Sequence, residues 1–287
     1  MDDVRPSVHP ILLPLVTYLP LAGVVAILLT RGTTQTVETA ARWVALWTSG
    51  IVFALSVIMW AEFDPARAGV QFEQQIGWAS GAGISYHAGV DGISLMFVLL
   101  STFLTPLSII GGWKLVTGRV RDYMIAMLLL ETTLIGLFSA LDLVLFYVFY
   151  EATLLPASLM IGVWGGPRRV WASLQFFLFT FGGSLFMLLA LLAMWNVTGT
   201  TDIVALQHHG FSHAMQGWLL AGFIIAFGVK LPLFPLHAWL PDAYTEAPTP
   251  ASVMLSGVLS KAGAYGLLRF GVLMFPDAAR LFAPVVL

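Results

Sequence analysis

Cysteine is absent from this 287-residue chain, and charged residues are scarce. Without cysteine the chain offers no disulfide, no thiolate zinc site, no Cys-ligated iron–sulfur cluster and no covalent haem attachment. Asp, Glu, Lys and Arg together make up 10% of the residues, whereas a soluble domain carries about 25% charged residues. So few charges cannot cover the surface of a water-soluble protein of this length. The composition therefore indicates an integral membrane protein.

The charge balance and the first residues exclude further classes. A net charge of −2 provides no polybasic face, so no nucleic-acid partner is expected. The opening MDDVRPSVHP lacks the basic start of a secretory signal, and no small-residue cleavage site follows the first apolar run. We therefore expect this run to remain as a transmembrane helix.

Long apolar runs are abundant, since hydrophobic residues make up 59% of the chain. A helix that spans a bilayer needs about 20 mostly apolar residues. By this measure the sequence predicts an all-α, polytopic transmembrane bundle of about eight helices, with a broken seventh helix. The predicted spans lie near residues 11–29, 43–63, 91–113, 123–140, 142–164, 171–195, 218–240 and 252–275. The segments between them have loop length, so no soluble domain is expected. Residues 276–287 end in LFAPVVL, which predicts the start of a ninth helix in a chain that is cut short.

Basic residues predict the orientation of this bundle. Among the loops that follow the second, fourth and sixth helices, only the first of these holds a basic residue, Arg67. The loops that follow the first, third and fifth helices hold Arg31, Arg42, Lys114, Arg119, Arg121, Arg168 and Arg169. Because Lys and Arg favour cytoplasmic loops, the odd-numbered loops are predicted to be cytoplasmic and the N-terminus to lie outside.

The most informative ionisable residues inside the predicted helices are Glu131, Glu151, Lys230 and Lys261. A charge near the bilayer centre costs about 2.5–3.5 kcal/mol, so each is a candidate functional residue. From the helical rise we expect Glu151 at ~12 Å, Lys261 at ~16 Å and Lys230 at ~18 Å below the outer surface. Three charges on three helices therefore converge on the middle of the membrane.

Two interpretations of these charges remain open. A single Glu–Lys pair could serve only to hold two helices together, but it leaves the second lysine without a partner. A water-lined proton path accounts for Glu151, Lys230 and Lys261 together, and we favour it. Glu131 is either part of this path or a packing contact.

Two prolines directly after Lys230 predict a break in the seventh helix. Pro232 and Pro235 cannot donate to the carbonyls of Gly228 and Leu231, which we expect to be free. Broken helices are tolerated at membrane depth where they line a hydrated cavity, although an ordinary proline kink is the alternative.

The histidines of the chain give weaker signals. His237 follows the prolines, and it either passes protons or is an interfacial histidine bonded to backbone. His208, His209 and His213 have no suitably spaced further ligand, so no metal site is predicted.

Several long runs resemble the M-type antiporter-like subunits of bacterial respiratory complex I, the counterparts of mitochondrial subunit four. They are VDGISLMFVLLSTFLTPLSI (90–109), RDYMIAMLLLETTLIGLFSALDLVLFYVFYEATLLP (121–156), GVWGGPRRVWASLQFFLFT (162–180) and AFGVKLPLFPLHAWLPDAYTEAPTPASVMLSGVLSKAGAYGLLRF (226–270). The resemblance begins near residue 86, and residues 1–85 match only in hydropathy.

The resemblance implies two inverted repeats of five helices, each with a broken helix. Residues 123–275 would form the first repeat and residues 1–122 the three helices before it. The proton-pathway residues of the family fall on Glu131 in LLLETT, Glu151 in FYEATLLP, Lys230 in GVKLP and Lys261 in LSKAGAYG. The second repeat, with the ionisable residue of the twelfth helix, has no counterpart in this sequence.

The resemblance also implies a function. The chain would be a proton-translocating subunit of NADH:quinone oxidoreductase with no cofactor of its own, while NADH, FMN, iron–sulfur clusters and quinone would bind to other subunits. Its partners would be protons, the lipid bilayer and other membrane subunits of the complex, including neighbouring antiporter-like subunits. The alternatives are a subunit of a multi-subunit sodium/proton antiporter or of a membrane-bound hydrogenase, and a structural spacer that no longer pumps.

Overall fold

A computed structural model describes residues 11–280, which form helices and one β-hairpin. The first half contains α1 (Leu12–Leu29), α2 (Thr34–Glu62), β1 (Gln71–Ala79), β2 (Ile84–Val90), α3 (Gly92–Gly111) and α4 (Val120–Ser139). The second half contains α5 (Leu143–Ala152), α6 (Leu154–Trp164), α7 (Arg169–Thr198), α8 (Ile203–Gln207), α9 (His213–Lys230), α10 (Leu240–Glu246), α11 (Thr249–Met254) and α12 (Ser260–Gly266). Two π-helical segments, Leu255–Leu259 and Leu267–Val272, flank α12.

Within the described residues, seven helices are long and apolar enough to cross a membrane. They are α1, α2, α3, α4, Leu143–Trp164, α7 and Thr249–Gly271. The remaining predicted span, 218–240, corresponds to α9, whose 18 residues reach about 27 Å. This helix carries the buried polar side chains of Gln216 and Lys230, and it is not among the seven candidate spans. The prediction of an all-α polytopic bundle is confirmed, while the ninth helix predicted over 281–287 lies outside the described residues.

One face of the bundle carries the β-hairpin and the even-numbered loops. The hairpin is antiparallel, and β2 hydrogen-bonds to the turn between α4 and α5, where the Leu141 amide donates to the His87 carbonyl at 2.8 Å. The Ile203 amide in turn donates to the Leu141 carbonyl at 2.8 Å. The sequence predicts only a loop for residues 64–90, because apolar and polar residues do not alternate strongly in the two strands. The hairpin therefore differs from the prediction.

The opposite face carries the odd-numbered loops. Arg42 donates to the Val116 carbonyl at 3.0 Å, and Arg121 donates to the Leu28 carbonyl at 2.8 Å. The backbone amide of Arg168 donates to Glu246 Oε2 at 2.9 Å, which places the segment after α9 on this same face. Successive loops therefore alternate between two faces of the bundle.

The fifth span is interrupted, whereas the sequence predicted one continuous helix over 142–164. Helix α5 ends at Ala152 and α6 begins at Leu154, with Thr153 between them. Pro156 has no amide hydrogen, so the Ala152 carbonyl four residues earlier lacks its usual donor. The break lies in the middle of the span, beside α9.

Glycines let the eighth span approach α9 closely. A Cβ at Gly263 would lie 2.6 Å from the Phe227 carbonyl oxygen and 2.7 Å from the Leu231 amide nitrogen. A Cβ at Gly266 would lie 2.4 Å from the ring of Phe227. Because no other residue fits this contact without a shift, α12 packs directly against the end of α9 that bears Lys230.

Candidate functional site

Lys230 is the last residue of α9, and only 1% of it is exposed. Its Nζ donates to Thr153 Oγ1 at 2.9 Å and to the Tyr150 carbonyl at 3.2 Å. The ring of Tyr150 lies 3.5 Å from the same nitrogen, measured to its centroid. A hydrogen bond to a charged group contributes about 1.5–3 kcal/mol. Two such bonds offset a burial cost of about 2.5–3.5 kcal/mol for the ammonium.

Glu151 lies beside this lysine but does not form a direct ion pair with it. The two charges are close enough to interact electrostatically. Glu151 is half-buried, and its Oε1 is buried and accepts no hydrogen bond. The structure therefore brings together the two residues that the sequence paired, with Lys230 bonded to the neighbours of Glu151 and not to Glu151 itself.

The chain after Lys230 turns away from the helix axis through residues 231–239, which include Pro232 and Pro235. The expectation that the Gly228 carbonyl is free was wrong, because the Leu233 amide donates to it at 2.8 Å. The turn after Lys230 is wider than an α-helical turn, so the amide of Leu233, five residues later in the chain, reaches the Gly228 carbonyl. Trp239 Nε1 donates to the Val229 carbonyl at 2.8 Å and satisfies a second acceptor of the last turn.

His237 lies in this turn, partly buried. Its ring centroid is 5.6 Å from that of Phe234, and its Nδ1 is buried and makes no hydrogen bond. A proton relay at His237 stays a prediction.

Glu131 is fully buried in α4, and neither of its carboxylate oxygens makes a hydrogen bond. No ion pair joins it to another charged group among residues 11–280. The structure thus places Glu131 inside the bundle, without a direct polar contact to Glu151 or Lys230.

Lys261 follows the first π-helical segment, and its side chain is exposed. Its Nζ donates to the Ser256 carbonyl at 2.8 Å, a carbonyl that also accepts from Ser260 Oγ at 2.9 Å. The backbone of α12 contacts the end of α9 at Gly263, but the Lys261 ammonium contacts neither Glu151 nor Lys230. The sequence predicted an ordinary α-helix here and gave no signal of the π-turn.

Three contributors to the site were not identified from the sequence, namely Tyr150, Thr153 and Trp239. Thr153 precedes Pro156 by three residues, and this spacing could have indicated a break in the fifth span. The role of Trp239 depends on how the chain turns after Lys230, which no local pattern reveals.

Outside the bundle, His87 on β2 links the hairpin to the loop after α7. Its Nδ1 lies 2.5 Å from Asp202 Oδ2, and its Nε2 lies 2.7 Å from Glu73 Oε1. Burial lowers the pKa of His87, but the hydrogen bonds and charges of Asp202 and Glu73 outweigh it, so this pKa lies above its usual value. Within residues 11–280 no group of three or more His, Asp and Glu side chains is arranged to hold a metal ion.

These features define a class: a polytopic membrane protein with a buried lysine and a neighbouring carboxylate at the junction of two broken helices. The chain belongs to the family described as NADH:quinone oxidoreductase/Mrp antiporter, TM, whose profile matches residues 140–286. The matched region includes Glu151, Lys230 and Lys261.

Curated relatives agree with this assignment. The chain is 46% identical over 289 residues to NADH-quinone oxidoreductase subunit M of Rhodobacter capsulatus, covering 96% of this chain and 56% of the relative. It is 46% identical over 246 residues to NADH-ubiquinone oxidoreductase chain 4 of Marchantia polymorpha, covering 85% of this chain and 50% of the relative. The chain therefore spans about half the length of the curated relatives that it matches.

Solved structures share the fold. A chain of respiratory complex I from Thermus thermophilus with bound NADH superposes with a TM-score of 0.83 at 32% identity, covering 95% of this chain and 55% of that one. A chain of the Mrp complex from Dietzia superposes with a TM-score of 0.79 at 22% identity, covering 94% of this chain and 29% of that one. The second likeness concerns the fold alone.

Proposed function

We propose that this chain forms the proton-translocating, M-type antiporter-like part of an NADH:quinone oxidoreductase. The observation that carries the proposal is the buried Lys230, which ends a broken helix beside Glu151. A buried ammonium is stabilised by a neighbouring carboxylate and destabilised when that carboxylate moves away or is neutralised. An increase in the Glu151–Lys230 distance would therefore favour release of the proton from Lys230.

The energy for this release would come from quinone reduction in other subunits of the complex. Moving one charge across 100 mV requires about 2.3 kcal/mol, which is comparable to the interaction of one buried charge pair. Lys261 would receive the proton through water, and Glu131 and His237 would belong to the same pathway. Residues 123–275 would form the five-helix transport repeat and residues 1–122 the three helices before it.

The proposed setting follows the relatives. NADH, FMN, iron–sulfur clusters and quinone would bind to other subunits, and this chain would hold no cofactor. Its partners would be the other membrane subunits, including neighbouring antiporter-like ones, in a bacterial inner membrane with the N-terminus on the periplasmic side. Co-purification with NADH- and quinone-reactive subunits distinguishes this assembly from a sodium/proton antiporter or a hydrogenase.

A double-mutant cycle tests the site. Glu151→Gln and Lys230→Met are each expected to abolish most NADH-driven proton uptake by membrane vesicles, normalised to assembled complex. Because residues that act as one unit show non-additive effects, the double variant should lose no more than the more damaged single variant. Independent, multiplicative losses would contradict a paired site, and full translocation by Lys230→Met would contradict the proposed function.

A further inference from the structure

The ammonium of Lys230 is held by the turn between α5 and α6, residues 150–153, which we name the lysine-binding turn. Thr153 Oγ1 accepts from Nζ at 2.9 Å, the Tyr150 carbonyl accepts at 3.2 Å, and the Tyr150 ring covers a further side of the ammonium. Tyr150 and Thr153 are both completely buried. Water therefore does not compete for these contacts.

The hydroxyl of Thr153 orients the second acceptor of the turn. Thr153 Oγ1 donates to the Tyr150 carbonyl at 2.7 Å while it accepts from Lys230. A hydroxyl has one hydrogen and two lone pairs, so both bonds can form at once. The Tyr150 hydroxyl fixes its ring by donating to the Ala226 carbonyl of α9 at 2.9 Å. The turn is thus rigidly attached to the helix that carries the lysine.

The break in the fifth span makes this turn possible. The carbonyls in the last turn of a helix receive no donor from within that helix, and Tyr150 lies in the last turn of α5. Glu151 lies between the two residues that bind the ammonium, and its Oε1 is buried without a hydrogen bond. One helix end therefore offers Lys230 two alternative acceptors within reach of its flexible side chain, the turn and the Glu151 carboxylate.

We propose that the lysine-binding turn holds Lys230 away from Glu151, and that Thr153 is a positioning residue which sets the balance between a turn-bound and a carboxylate-bound lysine. The proposal rests on the proposed function, and it adds a second state for Lys230. In the turn-bound state the ammonium contacts only neutral acceptors. In the carboxylate-bound state it forms the ion pair that the structure lacks. Passage between the two states changes the distance between the charges without moving a helix.

The test removes the Thr153 hydroxyl in the full chain within its native membranes. Thr153→Val keeps the shape of the side chain but cannot bind the ammonium. We expect proton translocation to fall at least about tenfold, which is the lower end of the effect of losing one hydrogen bond to a charged group. Thr153→Ser keeps the hydroxyl and should retain translocation. Thr180→Val is the matched control, because Thr180 is equally buried but bonds only to carbonyls of its own helix.

Each outcome decides the proposal. Loss in the Val variant with rescue by Ser supports it. Normal translocation by Thr153→Val, or equal losses for Val and Ser, overturns the positioning role, and so does an equal loss in Thr180→Val. If Thr153→Val does not assemble, Thr153→Ala replaces it in the same comparison with Ser. If Lys230→Met does not translocate protons while Thr153→Val translocates normally, only the role of the lysine-binding turn is refuted. If Lys230→Met still translocates protons, the proposed function is refuted, and the role of the turn with it.

Discussion

Trp239 Nε1 donates a hydrogen bond of 2.8 Å to the carbonyl of Val229, ten residues earlier in the chain. The bond connects the two sides of the break in the seventh helix, directly next to Lys230. Trp239 is 1% exposed and stacks edge-on against Phe176 of α7, with the ring centroids 5.2 Å apart. One side chain thereby fastens the turn after Lys230 to the neighbouring helix.

The first prediction follows from this bond. Trp239→Phe keeps an aromatic ring but leaves the Val229 carbonyl buried without a donor, which costs about 1–3 kcal/mol. We expect a lower thermal midpoint of the chain in membranes and weaker proton translocation. Trp218→Phe is the control, because Trp218 lies on α9 before the break and is 83% exposed. Equal thermal midpoints for both variants would show that the bond does not stabilise the turn.

The second prediction concerns orientation. The absence of native cysteine allows single-cysteine labelling with an impermeant thiol reagent in intact cells. Ala68→Cys and Gly210→Cys lie at exposed positions on the hairpin side, and Thr117→Cys lies at an exposed position on the opposite side. The basic residues predict labelling of the first two and protection of the third. The reverse pattern would invert the predicted topology.

The helical bundle was predictable because the hydropathy along the sequence is enough to indicate a transmembrane helix. A run of about 20 apolar residues has few alternatives in a bilayer, and charged residues such as Lys230 and Lys261 are conspicuous within it. The helical rise therefore predicts that Glu151 and Lys230 lie in one layer near the middle of the membrane.

The details of the site were not predictable in the same way. The binding of Lys230 by Tyr150 and Thr153, and not directly by Glu151, depends on rotamers and on the break at Thr153. Whether the Gly228 carbonyl is free depends on the width of a turn that proline permits but does not determine. The β-hairpin was missed because two short polar strands differ little from a loop in hydropathy.

The third prediction concerns Lys261. Its side chain is exposed and bonds to one carbonyl of its own helix, so Lys261→Met should assemble normally while most proton translocation is lost. Lys261→Arg should also translocate poorly, because a guanidinium does not release its proton at accessible pH. Lys114→Met, in an exposed loop, is the control for losing one positive charge. Full translocation by the Arg variant would refute a relay role.

The last prediction is a pH dependence of the hairpin attachment at His87. Asp202 and Glu73 raise the pKa of His87 above its ordinary value in spite of burial, so the contact stabilises the hairpin fully below about pH 6.5 and loses this contribution as pH rises through the higher folded pKa. Burial alone would raise the pKa of Asp202, but its bonds to His87 and to the Ala205 amide lower it. Its contribution is therefore present above about pH 4 and is lost as pH falls through the lower folded pKa.

At pH values between the folded pKa of Asp202 and that of His87, both of these side chains are charged. Amide hydrogen exchange of residues 71–90 should be slowest in this range. As the pH rises enough to deprotonate His87, exchange should accelerate by more than the increase that pH alone causes in an unstructured peptide. His87→Phe should remove this alkaline transition. It should also leave the hairpin less protected at every pH at which His87 of the parent protein is protonated, because Asp202 and Glu73 then lose their shared cation. His208→Phe, at an exposed position in the neighbouring loop, should keep the transition. An unchanged transition in His87→Phe would show that another group controls the attachment of the hairpin to the bundle.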